Sequence, residues 1–322
     1  MKVVGRAVLK GSSACHENEV LSVAMKLLVN SAYGYMGAVG LTRFSDVHAA
    51  NEVTRRGREL LDLVCRELAS RGVTLLEADT DGVYFAVPES FTEEDERRVV
   101  AEVDAILPAR VKLEYDGRYA SMLSHEPKNY ALRTLDGKVL LKGVAFRSSR
   151  AEPFGERFLR EAVAALFDGD VARVREIYVR TVISLRRREI RTFDVTTRAR
   201  LSKTASEYLG SRRDRRELVY EALLAAGRTE WSLGEKVRVY RANGGRAALL
   251  ALDEDDGTGA ADPRDYDVDY YQRTLHEGFA TRIERALEPR VFAAVFDDPM
   301  QPSLFADALD DARPTLTILP RE

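Results

Sequence analysis

Between Asp46 and Val87 the hydrophobic period switches within a few residues, and that switch constrains the fold more than any other feature of the sequence. Residues 46–69 place Val47, Ala50, Val53, Gly57, Leu60, Leu61, Val64 and Leu68 at steps of mostly three and four, opposite Arg55, Arg58, Asp62 and Arg66. The spacing predicts a long amphipathic helix with Asp46 as its N-cap. From Val73 the pattern becomes two short β runs, VTLLEA and VYFAV, joined by Asp79-Thr80-Asp81-Gly82. That reads as a strand, a tight turn and a strand.

The same reading extends along the chain. Met25, Leu28, Val29 and Ala32 share one face of a helix over 20–34, and a further helix is expected near 92–106. Strands are expected around Val111–Tyr115 and Asn129–Thr134, with Asp136-Gly137 turning a hairpin into Lys138–Lys142. Beyond Pro153 the pattern is helical in EPFGERFLREAVAALF, VARVREIYVRTVISLRRR and VDYYQRTLHEGFATRIERAL, the last preceded by the loop DEDDGTGAADPRD. The expected fold class is α+β, a mixed unit to about residue 150 followed by a mostly helical one. No repeat period is visible, which excludes solenoids.

With 322 residues, 45% of them hydrophobic, the chain has enough apolar material for a real core and is not a disordered linker. No run approaches the ~20 apolar residues of a membrane span, and MKVVGRAVLKGSSACHENEV lacks the apolar stretch of a secretory signal. A cytoplasmic protein with no membrane partner is expected. Cys15 and Cys65 are too few and too far apart for a disulfide framework or a thiolate zinc site, and His16, His48, His125 and His276 have no ligand spacing. Any metal would be held by oxygen. Trp231 opens the β-like segment WSLGEKVRVY and is read as a packing residue.

The net charge of -3 conceals a strong asymmetry: residues 186–246 carry 16 Lys/Arg against 8 Asp/Glu, and residues 247–322 carry 7 against 17. The basic segment has the footprint of a polyanion-binding surface, and charge alone equally describes a solvated helical face.

Three constellations could carry chemistry. Lys26, Asn30 and Tyr33, at i, i+4 and i+7, line one helical face with a cation, an amide and an aromatic, which suits phosphates at one end and a flat base at the other. Asp79 and Asp81 are two carboxylates two apart in a turn, where a hard divalent cation would relieve their repulsion. Lys128 and Tyr130 would share a strand face, and Lys142 stands beside Gly143, where backbone can approach a phosphodiester closely. Each is also an ordinary surface or turn pattern when taken singly.

Taken in order, they resemble one family. KLLVNSAYG is similar to the KxxxNSxYG motif of family B DNA polymerases, EADTDG to the DTD motif of their palm, and KNY to their KxY primer-contact motif. The wording of GYMGAVGLTRFSDVHAANEVTRRGREL, EYDGRYASMLSHEPKNYAL and LLKGVAFRSSRAEPF most resembles the bacterial DNA polymerase II branch. The resemblance implies a polymerase palm with an antiparallel sheet and helices, followed by a mostly helical thumb. It places the last fingers helix at 1–38, a partial palm at 39–150, the thumb at 151–295 and an acidic tail at 296–322. It further implies that Lys26 and Asn30 contact the triphosphate of a dNTP and that Tyr33 lines the base-pair pocket. Asp81 would be a ligand of two Mg²⁺ ions with Asp79 in support, and Lys128, Tyr130, Lys142 and Gly143 would hold primer–template DNA. The reaction implied is attack of a primer 3′-hydroxyl on the α-phosphate, releasing pyrophosphate.

The sequence departs from the family in lacking the DxxSLYP segment, whose first Asp is the other main metal ligand. The expectation is therefore the C-terminal portion of a polymerase, inactive alone, whose missing N-terminal half is encoded in the same or a separate gene. A non-catalytic primer–template-binding remnant is the alternative, and an unrelated palm-type nucleotidyltransferase is a further one that leaves Lys26–Gly34 and Lys128-Asn129-Tyr130 unexplained. In the tail, Gln301, Leu304 and Phe305 resemble a sliding-clamp-binding peptide; the other reading packs Leu304 and Phe305 back on the thumb.

Overall fold

The computed structural model describes residues 4–11, 19–79, 82–88, 90–146, 151–250, 262–299, 309 and 311–315. The chain divides into two compact units, Met1–Pro127 with Leu132–Lys138, and Lys128–Ala131 with Val139–Glu322.

The first unit contains strand β1 (Val4–Gly11), helices α1 (Glu19–Gly37) and α2 (Val47–Ser70), strands β2 (Thr74–Asp79) and β3 (Gly82–Ala86), helix α3 (Glu93–Asp104) and strand β4 (Val111–Glu126). Strands β5 (Asn129–Thr134) and β6 (Val139–Lys142) follow, and the hydrogen-bonded order is β2-β3-β1-β4-β5-β6. Helix α2 starts as expected, with the Asp46 carboxylate accepting from the Ala49 N–H at 2.9 Å. Helix α3 starts with a reciprocal capping box between Thr92 and Asp95. Val64 and Leu68 of α2 and Val99, Val100 and Val103 of α3 pack with Ala7, Val83, Phe85 and Leu113 of the sheet into one core. The carboxylate of Glu96, fully buried in α3, accepts from the Tyr115 hydroxyl at 2.5 Å and from Arg118 Nε at 3.0 Å, tying β4 to the helix. Burial, and then the bond to Glu96, push the Tyr115 phenol up from its usual pKa.

Four features depart from or extend the expected pattern. Strand β1, invisible in the sequence, lies between β3 and β4, because Arg6 and Gly5 interrupt the alternation that marks a strand. Strand β4 runs eleven residues beyond Tyr115, to Glu126. The apolar face of α1 is not buried among the described residues: Met25, Leu28 and Val29 are 44%, 63% and 60% exposed. The stripe of α2 is buried mainly in its second half, since Val47 and Val53 remain exposed.

The second unit begins with α4 (Pro153–Phe167) and α5 (Val171–Arg186), a helical pair that packs Phe154, Phe158 and Tyr178 with Tyr271, Phe279 and Phe296. It is less helical than expected. Strands β7 (Thr197–Arg200), β8 (Lys236–Ala242) and β9 (Arg246–Leu250) form an antiparallel sheet, covered on one face by α6 (Ala205–Ser211) and α7 (Leu218–Ala225). Tyr208 and Tyr220 stack at 4.5 Å in that core, and Trp231 packs on Tyr220 while its indole N–H donates to the Lys203 carbonyl at 2.8 Å. The last expected helix is broken into α8 (Val268–Arg273), a π-helical stretch Thr274–Phe279 and a 3-10 stretch Ala280–Ala286, before α9 (Pro289–Val295).

At Gly155 in α4 a Cβ would stand 2.1 Å from the Phe279 ring. Gly155→Ala is expected to lower stability by about 1–3 kcal/mol, because overpacking outweighs the ~1 kcal/mol that Ala gains in a helix. A chemical-denaturation midpoint that stays unchanged contradicts this. Pairing the substitution with Phe279→Leu should recover part of the loss.

Candidate functional site

Strands β2 and β3 pair up to Asp79 opposite Gly82, so only Thr80 and Asp81 connect them. The two expected strands are formed and pair antiparallel, while Thr80 and Asp81 between them lie outside the described residues. Residues directly opposite in an antiparallel pair share a face, and the register Asp79↔Gly82, Gly82↔Val8 and Val8↔Glu114 therefore aligns one row across four strands. The adjoining row is Glu77, Tyr84, Arg6 and Gly117. Both rows lie on the face away from α2 and α3, because the intervening Ala7, Val83, Phe85 and Leu113 fill the core on the other side.

Gly82, Tyr84 and Val8 on that face are buried, and β4 continues beyond its last pairing with β1 at Val4↔Tyr119. The Tyr119 and Tyr84 rings lie 6.1 Å apart, and the Ser124 hydroxyl reaches a Glu77 oxygen at 3.3 Å. Arg6 pairs with Asp116 at 2.6 Å and lies 5.3 Å over the Tyr84 ring. Asp116 occupies a bulge, where the β1–β4 register shifts between Arg6 and Ala7. Glu114 was not singled out from the sequence; only the strand register reveals that it shares a row with Asp79. Among the described residues no three His, Cys, Asp or Glu side chains cluster as metal ligands would. The described donors thus do not make a divalent-metal site by themselves, and no chemical step is derived through one.

Lys26, Asn30 and Tyr33 sit on exposed turns of α1, in the expected alignment. The helix end is tied down by the Asp46 N–H donating to the Met36 carbonyl at 3.0 Å and by the Arg43 N–H donating to the Tyr35 hydroxyl at 3.1 Å. How that helix faces position 81 lies outside the described residues.

In the second unit the Lys128 and Lys142 motifs, fourteen residues apart, form one substructure. Lys128 has a left-handed backbone (φ 67°) and Gly143 another (φ 85°). A Cβ on Gly143 would lie 2.0 Å from the Lys128 carbonyl oxygen, and the Asn129 side-chain oxygen accepts from the Ala145 N–H at 2.8 Å. The glycine expected to let backbone approach DNA is thus required first by the chain's own backbone. Lys142 is exposed, Tyr130 is half-buried, and β6 is held by Arg160 Nη1 donating to the Val139 carbonyl at 3.0 Å. Asn129 is the residue the sequence reading missed: its amide locks the loop that presents Lys128 and Tyr130. Gln301, Leu304 and Phe305 lie outside the described residues.

Comparison with known proteins gives the family of the chain. The description "DNA polymerase family B" matches residues 6–286, and the chain belongs to that family. It is 40% identical over 124 residues to DNA polymerase 1 of Pyrococcus abyssi, covering 38% of this chain and 16% of that protein. It is 31% identical over 190 residues to the DNA polymerase of Pyrococcus glycovorans, covering 58% of this chain and 24% of that one. The chain thus spans only about a sixth to a quarter of the length of these curated relatives. The fold is similar to the family B DNA polymerase of the hyperthermophilic archaeon Pyrobaculum calidifontis, with a TM-score of 0.55 and 22% identity over 84% of this chain and 34% of that one. No helix among the described residues is long and apolar enough to cross a membrane.

Proposed function

We propose that this chain is the C-terminal portion of a template-directed DNA polymerase, joining a deoxynucleotide to a primer 3′-hydroxyl once a further portion completes the site. The observation that carries the reading is the locking of Lys128-Asn129-Tyr130 onto Lys142-Gly143, in a chain whose β2 and β3, on either side of Thr80 and Asp81, pair antiparallel. Two cations on a rigid loop can neutralise adjacent phosphates without reading bases, as an enzyme that copies any template requires. In this reading Lys26 and Asn30 bind the dNTP triphosphate, Tyr33 bounds the base-pair pocket, and Asp79 and Asp81 contribute carboxylates for Mg²⁺. Within 1–38 only α1 (Glu19–Gly37) is the fingers helix, because Val4–Gly11 is a strand of the palm sheet; the palm is otherwise 39–150, the thumb 151–295 and the tail 296–322, with Gln301, Leu304 and Phe305 as a clamp-binding peptide. The bacterial polymerase II branch is the finer assignment, supported by the wording of the segments around the three motifs.

Inactivity of the chain alone is part of the proposal. The strand hydrogen-bonded beside the β2–β3 hairpin is β1, and its eight residues, VGRAVLKG, include no carboxylate. The second reading, a primer–template-holding remnant, keeps DNA binding and drops Mg²⁺ dependence in every assembly.

The test is equilibrium binding of the full chain to a primed duplex. Lys128→Ala with Lys142→Ala should weaken binding roughly 10-fold or more and flatten the slope of log affinity against log salt by about 2. Affinity and slope both unchanged would remove the reading's support.

A further inference from the structure

Strand β1 holds a central place in its sheet with few side chains. Toward the core it presents Gly5, Ala7 and Leu9, which amount to a hydrogen, a methyl and one larger group that is only partly buried. On the opposite face Val4 and Val8 are buried, and Arg6 pairs with Asp116 where both side chains are about a third exposed (31% and 34%), a setting in which ion pairs contribute little. What fixes β1 is therefore largely its main-chain ladder, to β3 over Val4–Val8 and to β4 over Val4–Gly11. Such a ladder is blind to side-chain identity, so any extended segment whose side chains fit can form it.

Two positions define what fits. Opposite Phe85 the slot has room for a hydrogen only: a Cβ on Gly5 would lie 2.6 Å from the Phe85 ring and 3.3 Å from a Glu96 oxygen. Three residues on, position 8 stands in the row Asp79, Gly82, Val8 and Glu114, and the residue between it and Asp79 is a glycine. Neighbouring strands lie ~4.8 Å apart, which puts position 8 within ~10 Å of Asp79 and next to Glu114. The family implies a divalent ion beside Asp79, and the described donors do not make a site for one. Val8 fills with an inert isopropyl group the one place in this row where a further carboxylate would add to Asp79 and Glu114.

We infer that the slot between β3 and β4 is a strand-binding site, filled here by Val4–Gly11, whose functional occupant is an extended segment of the complementing portion with glycine at the place of Gly5 and a carboxylate at that of Val8. The inference rests on the polymerase reading, which calls for a further portion, and adds how that portion joins: it replaces β1 within the sheet. Until then β1 closes the slot and keeps the edges of β3 and β4 from pairing with other chains.

The probes are fluorescein-labelled synthetic peptides with the sequence of residues 2–12, KVVGRAVLKGS, titrated against the full chain by anisotropy. In a chain carrying Gly5→Leu, whose own strand no longer fits against Phe85, the peptide should bind one to one and raise the melting temperature. Its apparent affinity should be roughly 10- to 100-fold tighter than for the wild-type chain, where an intact strand competes. The same peptide carrying Gly5→Leu should bind neither chain. A peptide carrying Val8→Asp should gain about 10-fold or more in affinity for the Gly5→Leu chain on adding Mn²⁺, and lose that gain when the chain also carries Asp79→Asn. Hydrogen exchange on the wild-type chain covers the case in which Gly5→Leu does not fold: the β1 amides should exchange faster than those of α2 and α3. Equal protection, or no peptide uptake by a folded Gly5→Leu chain, overturns the strand site. Uptake without the Mn²⁺ gain overturns the carboxylate-bearing partner, and a wild-type dimer dissolved by the peptide overturns it in favour of strand exchange between copies of this chain. If the strand site fails while Lys128→Ala with Lys142→Ala still weakens primed-duplex binding, the polymerase reading stands. If the chain binds no duplex and peptide uptake persists, that reading fails and the strand site stands.

Discussion

Purified and supplied with primed template, four dNTPs and Mg²⁺, the 322-residue chain is expected to give no measurable primer extension. Under the proposed function, nucleotidyl transfer needs carboxylates that converge on the metal ions from more than one strand beside β2 and β3. The neighbour of that hairpin is β1, and the residues it sets opposite Gly82 and Tyr84 are Val8 and Arg6. One is inert and the other is a cation already paired with Asp116. Even an outer partner of a metal ligand is worth 10- to 100-fold in metal affinity or activity, and loss of a ligand itself amounts to several orders of magnitude in rate. DNA binding should survive, since the cations proposed for it lie elsewhere in the chain. Mg²⁺-dependent extension by the wild-type chain that disappears in Asp81→Ala would overturn the expectation. Extension restored by adding the upstream portion of a family B polymerase would separate a divided enzyme from a binding remnant.

What the sequence discloses here is whatever depends on neighbours along the chain. Helix α2 and the β2–β3 hairpin are legible because a cap, a stripe and a two-residue turn are local. Strand β1 is hidden, because a central strand flanked on both sides need not alternate, and Gly5 and Arg6 blur what pattern it has. The contacts that β4 makes across the sheet are equally invisible, since Tyr119 meets Tyr84 and Ser124 meets Glu77 only once the strands are paired. Charge density in 186–246 suggests a polyanion but does not reveal which cations are already paired; Arg212 with Glu221 and Arg228 with Glu235 are seen only in the fold. Helix α1 is the opposite case. Its apolar stripe correctly predicts a helix, yet Met25, Leu28 and Val29 stay exposed among the described residues, because amphipathic spacing specifies a buried face without specifying what buries it.

Gly143→Ala is expected to damage the second unit more than any other single methyl addition considered. Two costs add. A non-glycine residue at φ 85° costs about 1–2 kcal/mol, and the new Cβ would fall 2.0 Å from the Lys128 carbonyl oxygen and 2.8 Å from the Asn129 Cα. These obstacles are backbone, which cannot swing aside as a side chain can, so overpacking adds about 1–3 kcal/mol. A loss of about 2–5 kcal/mol is expected from denaturant midpoints, a large part of the stability of a typical domain. If the loop opens instead of the unit unfolding, the Asn129–Ala145 hydrogen bond is lost first, and hydrogen exchange at the Ala145 amide should report it. Lys128→Gly supplies the converse. It relieves the left-handed strain at φ 67° and should leave stability unchanged or raise it by up to about 1 kcal/mol, while removing a cation from the loop. Under the proposed function, Gly143→Ala loses stability and DNA affinity together, whereas Lys128→Gly loses affinity alone. Should Lys128→Gly bind primed duplex as tightly as wild type, the loop is a structural clasp and the primer contact assigned to it is wrong.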